Sequence, residues 1–228
     1  MRIKHYSIFN GDQKTLNWDN LRNDSSEHPY FLPFSRKEYI NKVDCEFPSE
    51  NVQSLILVCK ELGIESIFSI GSGIGAFEYQ IKKFSDIKVS VSDYSSSIDR
   101  LSEFGIFDKV VQLDAFKDAL PVDDRTLVLL PRIDTEFDDG QLKLIFQKCY
   151  DNSVPYLWFI PAELLTFRIL LAEFKVLLMC VLKNKTRVFC GYARSLDSFE
   201  NLWGEFYDRI KNYNRDNKSF LLKLKKRL

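Results

Sequence analysis

Histidine is nearly missing from this sequence: only His5 and His28 occur, too few for a histidine-rich metal centre. The cysteines are five, an odd number, and none stand in Cys-x-x-Cys spacing. Cys45, Cys59, Cys149, Cys180 and Cys190 therefore read as reduced thiols of a cytoplasmic protein, several of them in apolar segments, and not as a disulfide framework. Net charge is missing too, since 32 basic side chains balance 32 acidic ones. Such a balance offers no global attraction for nucleic acid. The opening Met1-Arg2-Ile3-Lys4-His5 leads into polar sequence without the apolar core of a secretory signal. No internal repeat or low-complexity tract occurs. What is present is a globular composition, 45% hydrophobic and 28% charged, and 228 residues suffice for one domain with a substantial core.

The most informative stretch is Ser66 to Asp93. Ser66-Ile67-Phe68-Ser69-Ile70 is a short apolar run that predicts a buried strand. Gly71-Ser72-Gly73-Ile74-Gly75 follows, then a helical stretch from Ala76 to Phe84, then a second strand over Ile87 to Ser92, with Asp93 just past its end. The glycines permit positive φ and leave no Cβ in the way of a ligand approaching the backbone. The free N–H groups at the start of the following helix face such a ligand. A carboxylate at the tip of the second strand is placed to accept hydrogen bonds from both ribose hydroxyls. The unit reads as a nucleoside-binding βαβ.

Further along, Ser49 and Gly63 bracket a helix carrying Val52, Leu55, Ile56 and Cys59 on one stripe. Ser95-Ser96-Ser97 precedes a helix with Ile98, Leu101 and Phe104, and Lys109 to Leu113 forms a third strand ending in Asp114-Ala115-Phe116. Thr126 to Leu130 is a fully apolar fourth strand, as a central parallel strand should be. Asp138 or Asp139 caps the next helix, and Tyr156 to Ile160 is a fifth strand. This alternation implies a parallel, doubly wound α/β sheet. An amphipathic helix from Ser195 and a hairpin, Tyr207 to Asn214 and Ser219 to Lys226 with its turn near Asp216-Asn217, complete the chain.

Two segments have less regular patterns. Residues 1–48 show no clean period, with a turn at Asn10-Gly11-Asp12, a short helix near Trp18 and Leu21, and a proline-broken aromatic run, His28 to Phe34. They read either as a flap plugging the edge of the core or as a lid over a ligand. Residues 161–185 carry a broad apolar face through Phe167, Leu170, Leu171, Phe174, Leu177, Leu178 and Val181, interrupted by Arg168, Glu173 and Lys175. The segment is too charged and too short for stable membrane insertion. A helix buried against the body, a wall of an acceptor pocket and a membrane-surface helix all fit its pattern.

Gly71-x-Gly73-x-x-Ala76 also satisfies the dinucleotide fingerprint. The motif begins only after residue 65, an acid follows the third strand, and no second half-sheet fits in the remaining length. With these features the chain resembles, over residues 49–228, the Rossmann-like class I S-adenosylmethionine-dependent methyltransferases. The resemblance implies a mostly parallel seven-stranded sheet with a C-terminal antiparallel hairpin and helices on both faces. It also implies S-adenosylmethionine as cofactor. Gly71, Ser72, Gly73 and Gly75 would then meet its methionine part, and Asp93, beside Tyr94, the ribose. Asp114, with Ala115 and Phe116, would meet the adenine. One departure stands out: Ser69 occupies the position, two before the first glycine, where many members carry an acid.

Methyl transfer is an in-line displacement, so a base is needed only for an acceptor that must lose a proton. Asp134, off the fourth strand, is the candidate, with Glu136, His28, Tyr30 and Tyr39 nearby in role. Tyr30, Tyr39, Phe167 and Leu171 are the expected acceptor contacts. The acceptor expected is a small molecule or a glycan- or lipid-linked group, not nucleic acid. An Asn/Asp-Pro-Pro-Tyr/Phe sequence is lacking after the fourth strand. A NAD(P)-dependent oxidoreductase and a catalytically silent cofactor-binding module remain the alternatives.

Overall fold

The computed structural model describes residues 1–7, 22, 23, 29–184, 187–213 and 219–226. The sequence expectations at Asn10 to Asp12, Trp18, Leu21, His28 and Asp216-Asn217 lie outside these residues. In chain order the elements are β1 (Arg2–Ser7), α1 (Arg36–Val43), α2 (Glu50–Leu62), β2 (Ser66–Ile70), α3 (Ala76–Phe84), β3 (Lys88–Asp93), α4 (Ile98–Phe104) and β4 (Lys109–Gln112). There follow β5 (Thr126–Pro131), a 3-10 turn (Ile133–Thr135), α5 (Asp139–Asp151), β6 (Tyr156–Ile160), α6 (Phe167–Lys183), β7 (Val188–Arg194), α7 (Leu196–Trp203), β8 (Tyr207–Tyr213) and β9 (Ser219–Leu224).

Seven strands form one sheet in the order β4-β3-β2-β5-β6-β9-β8. The first five are parallel, β9 runs antiparallel to β6, and β8 antiparallel to β9. Alternate residues of the central strands feed two cores. Ile67, Leu127, Leu129 and Trp158 face a cluster with Val52, Leu55, Ile81 and Leu101. Phe68, Val128, Leu130 and Phe159 face the other, with Phe146, Phe199 and Trp203. Burial on both faces is why β5 and β6 read as continuous apolar runs. Of the expected caps, Gly63 ends α2 in the left-handed conformation and Asp138 with Gln141 forms a capping box at α5, while Ser49 and Ser97 stand at the starts of α2 and α4 without a side-chain cap bond.

A second, two-stranded sheet was not predicted. β1 pairs antiparallel with β7, Arg2 opposite Arg194 and Ile3 opposite Ala193. The partners lie at opposite ends of the chain, and neither run shows a period long enough to be recognised locally. This ribbon sits on the 3-10 turn at the carboxyl edge of β5. A Cβ at Gly191 would stand 2.7 Å from Thr135. Buried Arg194 donates to the Asp134 and Phe137 carbonyls and, through Nε, to Asp139 at 2.8 Å. α6 packs on β1 with Ile169 and Cys180 buried.

Candidate functional site

The site grows from the glycine turn between β2 and α3. Gly71 has φ of +73°, and a Cβ there would lie 2.6 Å from Ile133 Cγ2, so no larger residue fits. The Gly71 and Ser72 N–H groups donate to the Ser92 carbonyl, both at 2.9 Å, which pins the turn to the end of β3. Gly75 caps α3 at φ +70°. Tyr39, fully buried, edge-on to Tyr79 and tilted against Phe104, donates its hydroxyl to the Gly75 carbonyl at 3.3 Å. Tyr39 was expected to contact acceptor; instead it braces the turn from below.

Asp93 is the hub. Its Oδ2 accepts the Gly73 N–H at 2.9 Å and its Oδ1 the Ser95 N–H at 2.9 Å. Arg22 closes on both oxygens, Nη1 to Oδ1 at 2.8 Å and Nη2 to Oδ2 at 3.0 Å, while Nη1 also reaches Ser97 Oγ at 3.3 Å. The side chains are only 6% and 9% exposed, so this is a buried bidentate ion pair with further hydrogen bonds. Arg22 carried no signal in the sequence, because a lone arginine in an aperiodic segment looks like any surface cation.

The acid missing at Ser69 comes from elsewhere. Glu78, on the first turn of α3, is buried beneath the glycine turn and accepts the Ser69 hydroxyl at 2.5 Å. Burial, with Asp93 adding a smaller repulsion, pushes its carboxyl up to about 7, against the lowering effect of the Ser69 hydroxyl. A signal for it existed: Glu78 stands three residues before Ile81, on the stripe that α3 turns inward.

Beside Asp93 a surface cavity of about 340 Å³ is lined by Tyr94, Ser96, Gln112, Asp114 and Asp118. Asp114 is held by the Lys117 ammonium at 2.9 Å and by the Phe116 N–H at 2.9 Å, which together keep its carboxyl below the usual range. Phe116 is partly exposed and meets Phe137 edge-on at 5.1 Å, and the Ala115 carbonyl accepts from Lys148 at 3.2 Å. The structure thus brings Gly71, Ser72, Gly73, Gly75, Asp93, Tyr94, Asp114, Ala115 and Phe116 to one stretch of the sheet's carboxyl edge.

The acceptor-side residues do not gather in the same way. Asp134 lies fully buried under the ribbon, and its Oδ1 accepts the Ala162 N–H at 2.7 Å. Its Oδ2 has no partner among the described residues, and burial raises its carboxyl to about 6. Tyr30 is partly exposed, and Phe167 and Leu171 point outward from α6 at 75% and 48% exposure.

No family model matches the sequence, and no characterised protein matches it in sequence. Solved structures do match the fold. Human N-acetylserotonin methyltransferase in complex with S-adenosylmethionine superposes with a TM-score of 0.59 at 19% identity, over 83% of this chain and 56% of that one. PigF with S-adenosylhomocysteine gives 0.57 at 16% identity, over 83% and 64%. A putative O-methyltransferase from Nostoc punctiforme gives 0.57 at 14% identity, over 86% and 61%. The chain spans less than two thirds of the length of each. The parallel order, the antiparallel β9 and these superpositions agree: this chain has the fold of the class I S-adenosylmethionine-dependent methyltransferases.

Proposed function

We propose that this chain is an S-adenosylmethionine-dependent methyltransferase acting on a small molecule or on a glycan- or lipid-linked acceptor. Asp93 carries the reading: a carboxylate at the tip of β3, tied to the glycine turn through Gly73 and beside an open cavity rimmed by Asp114. In this reading Asp93 accepts the ribose diol with Tyr94 alongside. Asp114 accepts the adenine amino group, next to Ala115 and Phe116. Gly71, Ser72, Gly73 and Gly75 cradle the methionine part. The turn fits that role, since a Cβ at Gly73 would meet nothing nearer than the Arg22 guanidinium at 3.8 Å. Arg22 holds both Asp93 oxygens, however, so binding has to exchange a guanidinium for a diol. Of residues 1–48, expected as a flap or a lid, Arg22 is the one that covers the ribose site in this reading, while Leu32, Tyr39 and Val43 plug the core.

When bound, the cofactor supplies an electrophilic methyl group on a sulfonium, and the sulfur keeps the electron pair as the methyl passes to the acceptor. The protein contributes alignment of donor and acceptor. For an acceptor that must lose a proton, Asp134 is the assigned base, and its raised carboxyl titrates close enough to neutrality to serve. Its Oδ1 is taken by the Ala162 N–H, so Oδ2 is the oxygen that would accept the proton, once the cover over this buried carboxyl opens. Tyr30, Phe167 and Leu171 are the exposed side chains assigned to the acceptor.

The test is binding by the whole chain, followed by calorimetry and thermal unfolding. S-adenosylhomocysteine at a hundred times its dissociation constant is expected to stabilise by about 2.7 kcal/mol, or roughly 5–10 °C at this size. A shift with NADH and none with S-adenosylhomocysteine would hand the site to a dinucleotide. The Arg22–Asp93 pair favours a second reading, a silent module whose ribose site stays closed. It predicts no binding by the wild type and recovered binding by Arg22→Ala.

A further inference from the structure

α6 presents an apolar face that nothing among the described residues covers. At about 100° per residue, Leu177, Leu170, Val181, Phe174, Phe167, Leu178, Leu171 and Leu182 fall within an arc of about 140°. All eight are exposed, Phe167 and Val181 at 75% and Leu182 at 72%. Monomers rarely leave so continuous an apolar stripe in water, and those that do use it to bind. The opposite side of the helix, with Ile169 and Cys180, packs on the body.

The charges around the stripe identify its partner. Arg168 and Lys175 lie just beyond one edge, and Lys183 is exposed at the end of the helix. The helix's single acid, Glu173, is turned inward at the other edge and bonded to His5 and to Arg187, the latter at 3.2 Å. One flank therefore carries cations, the other a neutralised acid, and the helix has no outward acid. Two copies packed stripe to stripe would leave Arg168 and Lys175 without an acid to meet, since the only acid of the helix is already paired. An anionic lipid surface would take the apolar arc between its headgroups and pair with Arg168 and Lys175 along one flank and Lys183 at the helix end, the arrangement of an interfacial helix. The helix lies on such a surface and does not cross it: no helix among the described residues is long and apolar enough to span a bilayer.

We infer that α6 docks this protein in the plane of an anionic bilayer, through Phe174, Leu178 and Leu182 with Arg168 and Lys175 at the headgroups. The inference stands independently of the methyltransferase reading. Vesicle flotation with the full chain tests it, using phosphatidylcholine alone and phosphatidylcholine mixed with phosphatidylglycerol. Flotation is expected with the mixed vesicles, much weaker flotation with the neutral ones, and loss of binding as salt rises. Phe174→Asp should weaken binding by about tenfold or more, with an unchanged melting temperature because the side chain is already in water. Lys175→Glu should weaken it on mixed vesicles alone. Absence of flotation on the mixed vesicles overturns the inference, as does equal binding to both. A dimer in sedimentation velocity that Phe174→Asp dissolves, without vesicle binding, would assign the stripe to a second copy. S-adenosylhomocysteine binding, measured in parallel, is expected to be unaffected by either substitution.

Discussion

β6 and α6 are neighbours in sequence, both strongly apolar, and their fates are opposite. Leu157, Trp158, Phe159 and Ile160 of β6 are buried between two helical layers, whereas α6 keeps eight large apolar side chains in water. Hydropathy alone does not separate them. β6 sits between β5 and β9, so both its faces meet helices. α6 lies outside the sheet layers, on a two-stranded ribbon that can cover one side only. The same logic runs in reverse at the glycine turn, where charged Asp93 is buried because donors surround it, whereas Glu78, with the Ser69 hydroxyl as its side-chain donor, is pushed toward its neutral form. Burial here follows the supply of partners, not the polarity of the residue.

The largest expected effect sharpens that contrast. Phe159→Ala removes a ring packed against Phe146, Phe199 and Trp203 and is expected to cost about 3–5 kcal/mol. A thermal melt should show a fall of about 6–20 °C. A loss below a degree would mean that β6 is no better packed than α6.

Next comes Glu78→Gln, which probes the buried acid. The folded-state carboxyl is raised from 4.5 to about 7, so Glu78's stabilising contribution is whole below pH 4.5 and is lost as pH rises to about 7. At pH 8 the neutral amide should stabilise by roughly 3 kcal/mol, and near pH 4 the two proteins should melt together. A gain that is independent of pH would show that ionisation is not its cause.

Arg22→Ala addresses the other buried charge. Removing the guanidinium leaves the Asp93 oxygens to the Gly73 and Ser95 N–H groups with lone pairs open to a diol, and S-adenosylhomocysteine should bind on the order of tenfold tighter, given about 1.5–3 kcal/mol for a charged hydrogen bond. Isothermal calorimetry reads this directly. Equal affinities for the two proteins would mean that Arg22 does not compete with the ligand.

The smallest effect belongs to α6. Leu171→Gln replaces a side chain already 48% exposed, so its stability change should stay within about 0.5 kcal/mol. A melting point that collapses would put Leu171 in a core after all and erase the contrast with β6.

Much of the frame was legible because its signals are local. The Ser66–Asp93 unit, the apolar strands and the C-terminal hairpin each announce themselves through spacing within a dozen residues. Asp93 was legible for the same reason, as a carboxylate at a strand tip after a glycine turn. Glu78 was overlooked, although its place on the inward stripe of α3 marked it. Arg22, the β1–β7 ribbon and the burial of Tyr39 had no local mark, since each depends on a partner at least 36 residues away.

The sequence by itself determined the alternation of strands and helices, the turn that only glycines can make, and the acids at the ends of β3 and β4. These follow from backbone sterics and from the two hydrophobic periods, which act between near neighbours. Tertiary structure alone decided that Arg22 closes on Asp93, that Asp134 is sealed beneath a ribbon, and that α6 turns its apolar face outward. Each of these is set by what the fold brings alongside, and desolvation of a side chain depends on neighbours in space that its own stretch of chain does not supply.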